Sequence, residues 1–469
     1  MKPVVVCGGG LAGLAAATVL AEAGRRVVVI ERERHLGGRA GAWTEQLKDG
    51  TPFEMERGFH AFFRNYHNLR ALIRRVDPEL SVLQEQDDYP IVGAQGSASF
   101  RDLSTRTPIN LIQLVRRTKS LDLRALMNVD ARRASAMIAF GPHTYARWDH
   151  VSARDYLDSL RFPREARSLL FDVFAHSFFN DEADFSAAEL LMHFHFYFTG
   201  NPDGLVFDTM RVPFSRGLFD PLRAYLERRG VEVRLGVRVE SVERDHVRLD
   251  APTTIEQTIE HAGVVLALDV PGLRAVAERS TLGPATRRGI ESLGVAPPFV
   301  VWRLWLDRRV PRAPFAGTTG VGLLDNVSVY DALEDESASW ARRSGGSVIE
   351  LHAYAIDPAL DDARVRRDLL AGLHRIYPET RHAVIVEDRY LRRRDCPSFA
   401  PGSHALRPGV ETDTPGVVLA GDFVKLDAPC ALMERAVASG FVAANALLGR
   451  AAQGVHAASS RGLLARARI

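Results

Sequence analysis

The chain opens with an unbroken apolar run, Val4 to Cys7, followed by glycines, an alanine- and leucine-rich window over 11–23, and a second apolar run at 27–30. A short apolar run bounded by turn residues reads as a strand buried on both faces, and a longer alanine-leucine window as a buried helix. The opening therefore predicts strand, turn, helix and parallel strand, with Gly24 ending the helix and 26–30 forming the second strand. From about 70 to 205 the apolar spacing is mostly helical, with arginine-rich faces and aromatic clusters. The βα rhythm resumes over 216–249. An amphipathic helix is predicted over 217–229, a turn at Gly230, and alternating strands at 231–235 and 237–242. Strands are further predicted at 264–268, 299–306, 347–354 and 417–420, and a long final helix at 431–448.

Strands of the buried, parallel type thus fall at the start, in the middle and at the end. This predicts an α+β chain whose first domain, an α/β Rossmann-type unit, is assembled from 1–75, 206–270 and 390–450. A second domain, from 76–205 and 271–389, is threaded between these pieces, and 451–469 is a fraying tail. A length of 469 residues suits two domains. The 46% hydrophobic and 25% charged residues are ordinary for a globular chain and exclude disorder, collagen and coiled coil. A net charge of +2 supplies no global basic field, so nucleic acid is not expected as a partner. Three cysteines, Cys7, Cys396 and Cys430, make neither a disulfide framework nor a metal-ligand pattern. No signal peptide precedes the first strand, so a cytoplasmic chain is expected. No apolar run reaches the roughly 20 residues that span a bilayer.

Gly8-x-Gly10-x-x-Gly13 lies directly between the first strand and the first helix. Gly8 permits the tight turn, Gly10 lets the backbone approach a pyrophosphate, and Gly13 lets the helix pack on the sheet. The helix start, Leu11 and Ala12, offers N–H groups and a positive dipole end to phosphate. Glu31 ends the second strand, where a carboxylate accepts from a ribose hydroxyl, and Arg32 follows it. A three-glycine pattern alone is weak; with strand, helix, second strand and acid in place it predicts a dinucleotide site.

NAD and FAD remain the two choices at that point. Beyond Glu31, the segment through Leu36-Gly37-Gly38-Arg39 and Gly41 resembles the second glycine motif of the FAD-containing amine oxidase and phytoene desaturase superfamily. The resemblance implies FAD, a two-domain glutathione-reductase/amine-oxidase-like fold, and a phosphate contact for Arg39, whose fork suits that role better than lysine. It also implies that Val239 sets its backbone against adenine. Gly421-Asp422 resembles the terminal flavin motif, whose aspartate binds the ribityl or pyrophosphate region. Ala431, Leu432 and Met433 then start the helix whose N–H groups and dipole face the flavin pyrimidine. Gly58, Phe59 and His60 belong to the segment expected beside the isoalloxazine.

Residues 54–70, with Glu56-Arg57-Gly58-Phe59-His60 at their centre, resemble the isorenieratene synthase family of carotene desaturase/methyltransferases. Asp87-Asp88-Tyr89-Pro90 and Leu426-Asp427-Ala428-Pro429 extend the resemblance. It implies aromatisation of a carotenoid β-ring: hydride abstraction by FAD, a 1,2-methyl shift and proton loss. Such chemistry needs an apolar, water-excluding pocket, for which Trp43, Phe59, Phe62, Phe63 and the run from Phe194 to Phe198 are candidates. The candidate bases are His60 first, then Glu56 and Asp427, with Glu434 in reserve; Asp427 could instead cap the last helix. His193 and His195 would share a face on a strand, but no third ligand accompanies them, so no metal is expected.

A cationic stretch, 101–133, interleaves Arg116, Arg117, Lys119, Arg124, Arg132 and Arg133 with leucines. It reads either as an amphipathic segment docking peripherally on the inner face of the membrane, through which a lipid-dissolved polyene enters, or as a solvated arginine face. The electron acceptor is left open between O₂ and a quinone. Rival readings are a flavoenzyme, desaturase or isomerase acting on a shorter or carrier-bound polyene, then an amine oxidase, then a non-catalytic lipid escort. The retained flavin motifs argue against the last.

Overall fold

The apolar runs at the start, middle and end of the chain meet in one sheet. In the computed structural model, β1 (Val4–Cys7), β2 (Val27–Glu31), β3 (Glu232–Leu235), β4 (Gly263–Leu266) and β5 (Val417–Leu419) are parallel, in the order β3-β2-β1-β4-β5. The structure describes all residues except 94–95, 100, 103, 105–108, 110–112, 114–115, 117–127, 138–139, 142, 162–177, 200–206, 252–255 and 457–469. Val5 pairs with Val28 on one side and Val264 on the other, and Val265 with Val418. From β1 the chain first turns to β2 and later returns on the opposite side to β4. The crevice at the carboxyl end of β1 is therefore a topological switch point, where open α/β sheets bind ligands.

The first helix (Leu11–Glu22) is buried along its length, as its apolar residues on every face require. The last helix (Leu432–Leu448) crosses it. Gly440 makes the crossing possible, because a Cβ there would lie 2.2 Å from the Ala12 carbonyl oxygen.

A second sheet has seven strands in the order Ile385–Arg393, Phe299–Leu306, Ser347–Ala353, Asn326–Val329, Phe315–Thr319, Ile91–Gly93, Gly96–Ala98. Every pairing is antiparallel except that of Phe315–Thr319 with Ile91–Gly93. The strand Phe299–Leu306 is buried on both faces. Val300, Trp302 and Leu304 meet Val365, Leu369 and Leu373 of the helix Asp362–Ile376. The opposite face carries Val301, Arg303 and Trp305, which pair in register with His352, Glu350 and Val348. That face meets the hairpin Ala42–Gln46/Pro52–Glu56, where Trp305 and Val348 join Phe53 and Met55.

Three sequence expectations meet different structure. The region 70–205, expected to be mostly helical, also carries the strands Leu83–Gln86, Ile91–Gly93 and Gly96–Ala98. They are too short to display a period. The helix expected over 217–229 begins as a π-helical turn, Ser215–Phe219, before Asp220–Glu227 becomes α-helical. Pro271-Gly272, at the expected border 270/271, lies in the first turn of the helix Val270–Arg279, since proline fits that turn and Asp269 caps it. That helix packs against the strand Arg238–Val242 and the helix Pro284–Glu291, and the strand Ile385–Arg393 runs across the other expected border, 389/390. The cationic stretch lies largely outside the described residues.

Candidate functional site

The loop after β1 has little room for side chains. Gly8 sits at φ +113°, where a Cβ would be 2.3 Å from the Ala267 carbonyl oxygen, and a Cβ on Gly13 would be 2.0 Å from that of Gly8. A Cβ on Gly10, by contrast, would meet nothing closer than Gly38 Cα at 3.8 Å. The first helix starts at Gly10 with no side-chain cap, so the leading N–H groups at Leu11 and Ala12 take no side-chain partner. Gly37 lies alongside and donates its N–H to the Gly9 carbonyl at 2.8 Å. Loops 8–10 and 37–41 thus form a backbone cradle that fits a pyrophosphate.

Glu31 braces the cradle. Its carboxylate accepts the Gly9 N–H at 2.7 Å on one oxygen and the Glu33 N–H at 2.9 Å on the other. Burial raises its pKa, and the two N–H groups oppose that. Each oxygen keeps a lone pair, so a ribose hydroxyl fits here. Val239 is buried in the strand Arg238–Val242, whose register slips between Val239 and Ser241. Arg32 turns to Asp269 at 2.8 Å.

Arg39 and Asp422 come together from opposite ends of the chain as a bidentate pair, at 2.8 and 2.5 Å. Separate ligand contacts were expected of them. The guanidinium has five N–H donors and spends two here, leaving three for a phosphate. Gly421, at φ +153°, lets the backbone turn after β5, where a Cβ would strike the Phe423 ring at 2.4 Å. The last helix begins at Ala431, again with no side-chain cap, and Leu432 adopts the strained φ of +50°. With Met433 they point a second helix N-terminus, with its positive dipole end, into the same region. Asp427 does not cap this helix: it is exposed in the preceding loop, and Ala431 takes the cap position. Glu434 accepts from both nitrogens of Asn68, at 2.8 and 2.6 Å, and from the Leu69 N–H at 2.9 Å. It therefore caps the helix His67–Ile73 instead of facing a substrate; burial pushes its pKa up to about 7.

Glu56 is likewise a strut. It accepts from the Tyr330 hydroxyl and the Phe214 N–H and lies 3.6 Å from Arg303; burial pushes it up to about 7 against these partners. Arg57 pairs with Asp395 at 2.6 Å. Gly58, at φ +106°, abuts His352 and Val301 so closely that a Cβ would lie 2.7 Å from His352 Cε1. The Phe59 N–H donates to Glu350 at 2.7 Å. His60 places Nδ1 2.7 Å from the Gly58 carbonyl, so Nδ1 carries the proton and Nε2 offers a lone pair. Burial lowers its pKa to about 4.

Aromatic rings continue outward from this segment. Phe59 stacks on Phe315 with centroids 4.6 Å apart and meets Phe207 at 6.0 Å; Phe207 touches Tyr89 and Phe63, and Phe63 touches Tyr197. Phe62 packs on Phe214, and Trp43 stacks on His35. His193 and His195 lie on a helix and its π-helical extension, not on a strand, so spacing two turns them apart.

Two clusters were not foreseen. Glu189 bridges Arg407 and Arg435, and Arg435 also donates to the Asp422 and Cys430 carbonyls. Burial alone would raise the Glu189 pKa, but the guanidiniums hold it well below the usual carboxylate range. Glu350 joins Arg303, His352 and the Phe59 N–H. The sequence signal was present: Glu350 and His352 interrupt an apolar strand at spacing two.

Comparison with known proteins bears on this geometry. The family profile described as flavin containing amine oxidoreductase matches residues 11–448. The carotenoid phi-ring synthase of Streptomyces griseus is 48% identical over 454 residues, covering 95% of this chain and 88% of that protein. The carotenoid phi-ring synthase of Chlorobaculum tepidum is 27% identical, again covering 95% and 88%. Among solved structures, putrescine oxidase superposes with a TM-score of 0.70 at 16% identity, covering 96% of this chain and 99% of that one, which is a likeness of fold.

Proposed function

The chain belongs to the flavin-containing amine oxidoreductase family and within it to that of the carotenoid phi-ring synthases, and we propose that it converts a carotenoid β-ring to an aromatic ring. It is an oxidoreductase with FAD as cofactor. The observation that carries the substrate reading is the 48% identity to a phi-ring synthase along almost the whole chain. Bound FAD supplies a two-electron acceptor that takes hydride from carbon.

The residues divide the remaining work. The cradle of Gly8, Gly10, Gly37 and Gly38, with the helix starts at Leu11 and Leu432, binds and orients the dinucleotide. Arg39 meets the pyrophosphate while holding Asp422, and Glu31 takes the ribose. Phe59, Phe207, Phe315 and Tyr89 provide an apolar wall that keeps water from a carbocation and presents ring faces to its charge.

Turning a trimethylcyclohexene ring into a trimethylbenzene ring removes four hydrogens, as two hydrides and two protons. The methyl shift from the quaternary carbon moves no electrons to or from the ring. In this reading His60 accepts a proton at Nε2, which is supported by the commitment of Nδ1 to the Gly58 carbonyl. A pKa near 4 makes it a weak base, but a ring carbocation is a far stronger acid than imidazolium, so a weak base suffices. The cationic stretch 101–133 serves, in this reading, as the peripheral membrane contact through which the carotenoid arrives.

Anaerobic mixing of the flavin-loaded protein with β-carotene in micelles tests the reading. The flavin's visible absorption is expected to bleach and to return on admitting O₂ or a quinone. Flavin that stays oxidised with β-carotene refutes it.

A further inference from the structure

Within the strand Ser347–Ala353, Glu350 and His352 alternate with apolar Ile349, Leu351 and Ala353, and spacing two continues their face to Tyr354 just beyond it. All three are bonded in series. Glu350 Oε1 lies 2.8 Å from His352 Nε2, and His352 Nδ1 lies 2.9 Å from the Tyr354 hydroxyl. The Asn326 amide donates to that same hydroxyl oxygen at 3.0 Å. These partners give the chain a direction. Burial alone would raise Glu350, but Arg303 and His352 hold it down to about 2, so it is a carboxylate and His352 Nε2 must carry a hydrogen toward it. Nδ1 is then the acceptor, and the Tyr354 O–H donates to it.

Glu350 and His352 are fully buried, whereas Tyr354 is half-buried. Its ring lies 4.9 Å from Phe179, in an apolar cluster with Phe299, Val301 and Cys396. His352 touches Gly58, so the relay runs beside the segment that carries His60. Stability alone does not call for such a series, because well-packed apolar residues in place of buried ionic groups are often as stabilising.

Resting on the function proposed above, we propose that Tyr354 is a second catalytic residue, accepting one of the two ring protons through a Tyr354–His352–Glu350 relay. The substrate C–H bond breaks and its electron pair becomes the new C=C bond. The proton goes to the Tyr354 oxygen as the tyrosine's own proton passes to His352 Nδ1. The resulting imidazolium is held by the Glu350 carboxylate, and no electrons are exchanged in this step. The relay resets when the proton passes to water after the product leaves.

Tyr354→Phe keeps the ring and removes only the hydroxyl. Against wild type active on β-carotene, this variant is expected to lose kcat on the order of 10²-fold. KM and the bound-flavin spectrum should be unchanged, with the melting temperature only modestly lower as His352 and Asn326 each lose a partner, and a larger isotope effect is expected with ring-deuterated substrate, as proton loss becomes rate-limiting. His352→Gln added to Tyr354→Phe is expected to cost little more, since the two act as a unit. Wild-type turnover in Tyr354→Phe, an isotope effect that does not grow, or multiplying losses in the double variant overturns the relay. No aromatic product from wild type overturns the substrate reading instead.

Discussion

Arg39 is where one residue type does what its relatives cannot. Its fork spans both oxygens of Asp422, a buried carboxylate, and still has donors to spare. Charge-assisted hydrogen bonds contribute about 1.5–3 kcal/mol each. Arg39→Lys keeps the charge and loses the fork, so FAD binding is expected to weaken by roughly 10- to 100-fold in a fluorescence titration. Arg39→Ala further strands Asp422 without a partner and should also lower the melting temperature. Unchanged flavin affinity in both variants contradicts a phosphate role. His60→Ala is expected to slow product formation by about 10²-fold with flavin retained, and wild-type turnover removes His60 from the chemistry. Gly8, Gly10, Gly13 and Glu31 stand out in the sequence at fixed offsets from strand ends, whereas Gly37, Gly38, Arg39 and Asp422 stand out through the family resemblance alone. Glu350, His352 and Tyr354 were passed over: their spacing of two is visible in the sequence, but it gains its meaning only when Arg303 stands across the ladder from Glu350. Asp427 misled because nearness to the last helix in sequence says nothing of which way a loop faces.

The last helix carries the tightest test of how elements position the site. Gly→Ala within a helix ordinarily stabilises by about 1 kcal/mol. At Gly440 a Cβ falls 2.2 Å from backbone that cannot move without displacing the first helix, so the clash wins. Gly440→Val is expected to destabilise by about 1–3 kcal/mol or more and to loosen FAD, since both helix starts line the cradle. A variant as stable as wild type contradicts the close crossing. Glu434 ties this helix to His67–Ile73 and titrates near 7, above the 4.5 of an exposed glutamate. Between those values the folded chain holds a proton that the unfolded chain has lost, so stability from this group is full below 4.5 and falls as pH rises to 7. The loss is at most about 3 kcal/mol. Glu434→Gln, which cannot titrate, should therefore compare worst with wild type near pH 4.5 and less badly at 7.5; a gap that widens with pH is the contrary result. The parallel strands and the long helices were legible because each is a continuous apolar run. Leu83–Gln86 was not, because its partner Phe207–Met210 lies more than a hundred residues away and supplies the order the local sequence lacks.

At the scale of the whole molecule, the parallel sheet carries the loops to which we assign FAD binding, and the seven-stranded sheet presents its polar inner face, Arg303, Glu350 and His352, to the segment 57–60. That apposition brings His352 against Gly58, whose carbonyl His60 Nδ1 meets. Among the described residues no helix is long and apolar enough to cross a membrane. If the cationic stretch 101–133 docks peripherally, the protein should float with anionic vesicles at low salt and be released at high salt. Failure to float at low salt assigns those arginines to solvent. The interleaved two-domain plan was readable from where buried strands recur, whereas the packing of the helices Val270–Arg279 and Pro284–Glu291 on each other is announced by no local pattern.

The central claim is the ring chemistry, and co-expression with a β-carotene pathway, followed by mass and absorption analysis of the extracted carotenoids, tests it most directly. The account predicts carotenoids with one or both β-rings converted to trimethylbenzene rings, each lighter than its precursor by four hydrogens per ring. Untouched β-carotene beside a folded, flavin-loaded protein would contradict it.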